Sequence, residues 1–344
     1  MSLISPKMLV KEFPASFCIE KNIAVARDTA RKIINGQDRR LLVIAGPCSI
    51  HDIKAAYEFA ELLYQAAHHF EDDLFIIMRV YFEKPRTTIG WKGLITDPHL
   101  DGSFDINQGL KMARQLLIKL ADLGIPAATE FLDPIIPKYL SDLISWNAVG
   151  ARTAESQLHR EIASGLPTAV GFKNTTDGNI QIAIDAANTA RYPHHFLSID
   201  EHGQSTIIST KGNDCCHIIL RGGNEKTNYS ASHVTEAIHM LKKSHLTPHL
   251  MIDCSHGNSM KNYQNQIQVA HAVSEQIEMG SREIFGIMLE SHLMAGNQRL
   301  EKNKILNYGQ SITDECISWK DTMQLFSRLA LANQKRRNSC SFIR

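Results

Sequence analysis

Leu41-Leu42-Val43-Ile44-Ala45-Gly46-Pro47-Cys48-Ser49 is the stretch on which the reading of this chain turns. Five apolar residues run without a polar interruption, Gly46-Pro47 ends the run, and a cysteine follows. Near-continuous hydrophobicity is what a strand buried on both faces requires, as in a parallel sheet. Runs of the same kind recur at Leu74–Val80, Ala127–Phe131, Trp146–Arg152, Thr168–Asn174, His217–Gly222, His249–His256 and Ile284–Ser291.

Between these runs the apolar residues switch to helical spacing, predicting helices over Ala55–His68, Asn107–Leu123, Ile180–Ala190, Ser232–Lys243 and Gln264–Met279. Asp52, Asp105, Asp177 and Ser230 stand near the expected starts as capping residues. Eight strands alternating with helices predict an α/β fold, a (β/α)8 TIM barrel rather than an open doubly wound sheet. The spacing is uneven twice. Tyr81–Phe104 is a long loop, and Phe196–Ser209 alternates like a β-hairpin inserted before strand six. Residues 1–40, with a helix over Glu20–Asn35, are expected to form an N-terminal extension that closes the barrel's bottom or meets a partner subunit. Residues 41–344 are expected to form the barrel itself.

Composition excludes several classes. A length of 344 residues suits one α/β barrel, and a net charge of +1 offers no general attraction to nucleic acid or a membrane surface. No apolar run approaches the ~20 residues of a membrane span. Seven cysteines without paired spacing, and no signal peptide, predict a cytoplasmic protein in a reducing compartment. The basic triplet Lys335-Arg336-Arg337 reads as a solvated end.

Each predicted strand terminates in a polar or ionisable residue: Cys48, Arg79, Glu130, Arg152, Lys173, Arg221, His256 and Glu290 in order. Singly, each has a bland reading as a buried thiol or a surface cation. Together they do not, because a barrel gathers its strand C-termini at one mouth, where active sites lie. Cys48, His256 and Glu290 come from neighbouring strands of a closed barrel, and Asp314 follows strand eight. This mixed S/N/O set suits one divalent ion, Mn, Fe, Co or Zn, better than Mg. Arg79, Arg152, Lys173 and Arg221, with Lys84 and Arg86 of the long loop, call for anionic ligands, phosphate or carboxylate. The glycines of Arg221-Gly222-Gly223 would let a ligand approach the backbone. No Walker A loop or GxGxxG turn is present, so small phosphorylated substrates are expected rather than nucleotides.

These residues lie in strings that resemble the type I 3-deoxy-D-arabino-heptulosonate 7-phosphate (DAHP) synthases: GPCSIHD from Gly46, MRVYFEKPRTTIGWKGL from Met78, GFKNTTDG from Gly171, HIILRGG from His217, DCSHGNS from Asp253 and ESHLMAGNQ from Glu290. The resemblance spans about Phe13 to Arg337. It implies the first step of the shikimate pathway, condensing phosphoenolpyruvate with erythrose 4-phosphate. It implies that Cys48, His256, Glu290 and Asp314 ligate the metal. It further implies that Arg79, Lys84, Arg152, Lys173 and Arg221 hold phosphoenolpyruvate, with Glu130 assisting through water, and that Arg86 and Thr87 hold the aldose phosphate. Lys84, Cys48 and His256 are the expected catalytic residues, Lys84 as candidate for proton transfer. A homodimer or homotetramer is the family expectation.

The alternatives are a 3-deoxy-manno-octulosonate 8-phosphate synthase-like condensation, a metal-dependent phosphoesterase, and a catalytically inactive metabolite-binding barrel. Lys84-Pro85-Arg86-Thr87 argues against the first, the absence of a carboxylate-rich two-metal cluster against the second, and the complete ligand and cation sets against the third. Regulated members of the family place an aromatic amino acid near the positions matching Pro134–Leu140, Gly165–Thr168 and Phe196–Ser198. A longer acidic N-terminal arm completes that pocket in them. With no acidic residue before Glu12, weak or absent inhibition is expected, unless Glu12 or Asp200-Glu201 substitutes.

Overall fold

The computed structural model describes residues 2–86, 90–301 and 305–339. Its strands are β1 (Leu41–Gly46), β2 (Leu74–Arg79), β3 (Ala127–Glu130), β4 (Trp146–Val149), β5 (Ala169–Lys173), β6 (His195–Ile199), β7 (Ser205–Ser209), β8 (Cys216–Leu220), β9 (Leu250–Asp253) and β10 (Ile284–Glu290). Eight of them close a parallel barrel in the order β1-β2-β3-β4-β5-β8-β9-β10, while β6 and β7 pair only with each other. The (β/α)8 fold and the hairpin ahead of the sixth barrel strand are therefore both present. Every residue of β1, β3, β4, β5, β9 and β10 is buried, which accounts for their unbroken apolar runs.

The expected helices form at Ile53–His69, Ile106–Leu123, Ile180–Ala190, Ala231–Lys243 and Tyr263–Glu278. Asp52, Asp105 and Ser230 cap three of them, each accepting backbone N–H bonds of the first turn. At the Ile180 helix the cap is Asn179, not Asp177. Asp177 instead accepts from the Asn179 N–H and the Thr175 hydroxyl, organising the turn before the helix.

The strands are shorter than the sequence runs suggest. β1 stops at Gly46, β4 at Val149 and β9 at Asp253, so Cys48, Arg152 and His256 stand in the loops just beyond. Pro47 has no N–H to give a ladder, and His256 takes a left-handed φ of 54° that no strand accommodates.

Residues Phe17–Ile34 form the N-terminal helix, with Ser16 as cap. Its Ala30, Ile33 and Ile34 pack with Leu42, Ile77, Trp146 and Phe285 of the barrel interior, closing the bottom. A short helix over Pro6–Glu12 precedes it and is tied to the hairpin by a Lys7–Glu201 ion pair, while Glu12 pairs with Lys111. The basic triplet is not a solvated end. It lies on a helix over Trp319–Ser339, where Arg336 is 8% exposed and donates to the carbonyls of Ser281 and Ile284, and Arg337 pairs with Asp73. A triplet in a helix can turn two long cations onto the barrel, which composition alone does not reveal. The six described cysteines are free thiols, and no described helix is long and apolar enough to cross a membrane.

Candidate active site

Strand register brings the two sides of the mouth together. Gly46 of β1 lies opposite Glu290 of β10, and Met288 of β10 lies opposite Asp253 of β9. Cys48 thus hangs over Glu290, and the loop carrying Asp314 is pinned beside them by bridges from Ser291 to Ile317 and Asn297 to Ser311. One ligand atom each from Cys48, Glu290 and Asp314 lies within 4.8 Å of the others, the sole such group of three among the described residues. His256, the fourth expected ligand, falls outside this tight group, with Nε2 3.6 Å from Glu290 Oε1.

The donor set fits a divalent ion. His256 Nδ1 is 2.8 Å from the Asp253 carboxylate, which can only accept, so Nδ1 donates there and the neutral imidazole would present the lone pair of Nε2 to an ion. The Cys48 thiol is pushed up to about 11 by burial, with Glu290 adding to the effect. A bound cation is what would favour its thiolate in such a place. For Asp314, burial alone would raise the carboxyl, but Lys84, His256, Lys261 and Arg79 hold it below its ordinary value.

The remaining expected residues line one cavity of about 230 Å³: Arg79, Lys84, Arg86, Glu130, Arg152, Lys173 and Arg221, with His256 and Asp314 at its edge. Arg79 is 1% exposed and occupied on the metal side. It donates to Glu290 Oε1 at 2.9 Å and to the carbonyls of Pro47 and Cys48, and so braces two expected ligands while facing the cavity. Lys84 Nζ stands 3.1 Å from Cys48 Sγ. Lys173 pairs with Asp253 at 2.8 Å. Arg221 is buried, its Nε has no partner among the described residues, and burial lowers its pKa, with Arg152 opposing the charge further. An unmatched guanidinium N–H in such a place is an invitation to an anion. Arg86 is exposed at the rim and donates to the Trp91 carbonyl. Thr87 lies outside the described residues.

Sequence reasoning missed Asp253, Lys261 and three asparagines. Asp253 holds His256 through one oxygen, Lys173 through the same oxygen, and Ser255 through the other. A buried aspartate at the end of an apolar strand was the available signal. Asn174, Asn228 and Asn258 form a buried network. Asn174 Oδ1 accepts from the Arg221 N–H and from Asn228, Asn228 accepts from the Gly222 N–H, and Asn258 donates to the Asp253 and Leu220 carbonyls. It locks together the loops after β5, β8 and β9, and with them Lys173 at the end of β5, Arg221 and His256. Gly222, the first glycine after Arg221, is required by this packing. A Cβ at Gly222 would lie 2.4 Å from Asn258 N and Gly257 C, and one at Gly257 would lie 2.5 Å from Gly223 O.

Glu83 braces the long loop. It is 8% exposed and accepts the N–H groups of Leu132 and Asp133 beyond β3. Burial raises its carboxyl from 4.5 to about 8, against the pull of those two bonds. A raised folded-state pKa means the native state binds the extra proton, so its stabilisation is full below the unfolded value and lost as pH rises through about 8. Glu83→Gln removes this titration. Across pH about 5 to 9, the wild-type Tm is expected to fall relative to the Glu83→Gln Tm; parallel curves would refute the burial argument.

Fold and site together define a (β/α)8 enzyme whose mouth couples a candidate metal cluster to an arc of cations. The chain belongs to the DAHP synthetase I family, whose model matches residues 18–327. It is 55% identical over 335 residues to the Phe-sensitive phospho-2-dehydro-3-deoxyheptonate aldolase of Escherichia coli K12, covering 97% of this chain and 95% of that one. It is 52% identical to the phospho-2-dehydro-3-deoxyheptonate aldolase of Haemophilus influenzae, covering 98% and 94%. The solved structure of phospho-2-dehydro-3-deoxyheptonate aldolase from Francisella tularensis SCHU S4 superposes with a TM-score of 0.95 at 50% identity, covering 98% of each chain.

Proposed function

We propose that this chain condenses phosphoenolpyruvate with erythrose 4-phosphate at a divalent ion held by Cys48, His256, Glu290 and Asp314, giving 3-deoxy-D-arabino-heptulosonate 7-phosphate and phosphate. The observation that carries the reading is the meeting, at one mouth, of the Cys48–Glu290–Asp314 cluster with an arc of cations that includes the unpartnered Arg221 Nε. The ion would supply Lewis acidity toward the aldehyde oxygen of the aldose phosphate.

The chain's own residues do the rest. Arg152, Lys173 and Arg221 neutralise the phosphate and carboxylate of phosphoenolpyruvate and hold its C3 toward the aldehyde, an entropic and electrostatic task. As C3 bonds to the aldehyde carbon, the aldehyde oxygen gains negative charge and takes a proton; Lys84, beside Cys48, is the donor within reach. C2, left electron-poor as the double bond's electrons form the new bond, takes up a water oriented by Glu130. One proton of that water restores Lys84; the other leaves with the phosphate as the C2–O bond to the phosphoryl group breaks, and C2 becomes a ketone. Gly150 lets the Glu130 carboxylate sit against the backbone, since a Cβ there would lie 2.2 Å from Glu130 Oε1.

A coupled assay following phosphoenolpyruvate with erythrose 4-phosphate or a five-carbon aldose phosphate, with and without chelator, tests this reading. Preference for the five-carbon substrate, or full turnover in chelator, would overturn it. Arg86→Ala is expected to raise the KM for erythrose 4-phosphate about ten- to a hundredfold, the worth of a charge-assisted phosphate contact, and to change that for phosphoenolpyruvate far less. Equal effects in initial-rate measurements would remove Arg86 from aldose recognition.

The N-terminal segment and hairpin support a homo-oligomer interface. Leu197 and Ile207, cross-strand neighbours, are 80% and 70% exposed, and Phe17 is 82% exposed. Leu197→Glu with Ile207→Lys is expected to shift the mass in light scattering toward the monomer, and an unchanged mass would place the interface elsewhere.

A further inference from the structure

We propose that the opposite, N-terminal face of the barrel carries a second, non-catalytic anion site, suited to a small polyanion bearing phosphate or several carboxylates. A cavity of about 380 Å³ opens there, larger than the 230 Å³ of the mouth. Arg39, Arg40, Arg282, Arg336, Arg337 and His249 line it, with Asp38 as the one acidic residue in its wall among the described residues. The whole chain carries 37 Lys and Arg against 36 Asp and Glu; here, even with Asp73 paired to Arg337 behind the wall, five arginines to two aspartates is a local departure that composition does not produce.

The position follows from chain order. Arg39 and Arg40 immediately precede β1, His249 precedes β9, Arg282 lies ahead of β10, and Arg336 and Arg337 sit near the end of the Trp319–Ser339 helix. All gather at the end of the barrel where the strands begin, away from the mouth, so this cavity cannot exchange groups with the catalytic cations.

Part of the set is built rigidly. Arg336 is 8% exposed and its guanidinium donates to Asn333 Oδ1 and to the Ser281 and Ile284 carbonyls. Arg40 is held by Asp38 at 2.6 Å, and Arg337 by Asp73. His249 is fixed by a 2.8 Å contact from Nδ1 to the Ile34 carbonyl. Those bonds fasten the helix ends to the barrel floor. They also bring like charges together, a repulsion that an anion spanning them relieves. Guanidinium forks suit phosphate and carboxylate oxygens, and preorganised ones lose little entropy on binding. Arg39 is exposed at the rim, with no side-chain partner among the described residues. A ligand seated here would tie the N-terminal helix, three strand starts and the C-terminal helix to one another. Its role would therefore be to stabilise or regulate.

The test titrates pyrophosphate and, separately, citrate into the full chain by calorimetry and thermal shift. An Arg152→Ala background suppresses anion binding at the mouth. At least one of the two anions is expected to raise Tm, with Arg39→Ala and Arg282→Ala each weakening its Kd about tenfold, the low end of a charge-assisted contact. Response to pyrophosphate alone would name a phosphate ligand, and response to citrate alone a polycarboxylate. Unaltered affinity for both anions in both variants, or no binding once Arg152 is replaced, would overturn the proposal. Arg39→Ala changes a rim residue and should leave kcat without added anion at the wild-type value. Loss of the assigned condensation would thus be distinguishable from loss of this site.

Discussion

Replacing Cys48 with Ser is expected to abolish turnover and metal binding together while leaving the barrel folded. The thiol is fully buried between Glu290, Asp314 and Lys84, and its backbone N–H is held by Cys316 Sγ at 3.4 Å. Serine preserves size and backbone, but a hydroxyl is a poor ligand for a borderline-soft ion and does not ionise in this range. Loss of residues that merely orient ligands lowers metal affinity about 10–100-fold, so loss of a ligand should cost at least the upper figure. Metal content after dialysis, initial rate and Tm of the metal-free protein are the measurements. A variant that retained near-normal turnover in chelator-treated buffer would show that Cys48 is no ligand. One that lost metal with an unchanged metal-free Tm would separate ligation from folding.

Legibility in the sequence followed the physics of each element. Doubly buried strands advertise themselves, because both faces need apolar side chains, and all eight barrel strands were readable on that ground. Their ends were not. Cys48, Arg152 and His256 lie past the last ladder bond, and the run of apolar residues does not record where hydrogen bonding stops. The mouth's residues were readable because a barrel gathers its strand termini, so a list of terminal residues becomes a list of neighbours. The work each does depends on side-chain direction, which order along the chain does not contain. Arg79 counted as one more substrate cation, yet it also braces Glu290 and the Cys48 carbonyl from below. Asp253 left only the trace of an acid ending an apolar strand, and the Asn174–Asn228–Asn258 network left none, because the partners that give them meaning lie up to 80 residues away. Arg336 and Arg337 read as a loose basic end because nothing local signals that the barrel floor lies against them.

The same lesson sets the second large effect, which falls on a residue with no side chain. Gly222→Ala is expected to destabilise the chain by about 2–5 kcal/mol, combining about 1–2 for a left-handed conformation with about 1–3 for overpacking. Gly222 has φ +74°, and an added Cβ would lie 2.4 Å from Asn258 N and Gly257 C, both backbone atoms with nowhere to go. The loop after β8 must then move away from the loop after β9. Arg221, whose N–H is held by Asn174, and His256, next to Gly257, move apart with them. Activity should therefore fall beyond what lost stability explains, with KM for phosphoenolpyruvate raised about tenfold or more, the worth of one charge-assisted contact. Gly223→Ala is the control. Its Cβ would meet Asp177 O at 3.1 Å, a close contact but not an impossible one, so a smaller Tm loss and a near-normal KM are expected. If Gly222→Ala lowered Tm by several degrees yet bound phosphoenolpyruvate as the wild type does, the two loops would be packed for stability alone. The asparagine network would then have no part in aligning the cations.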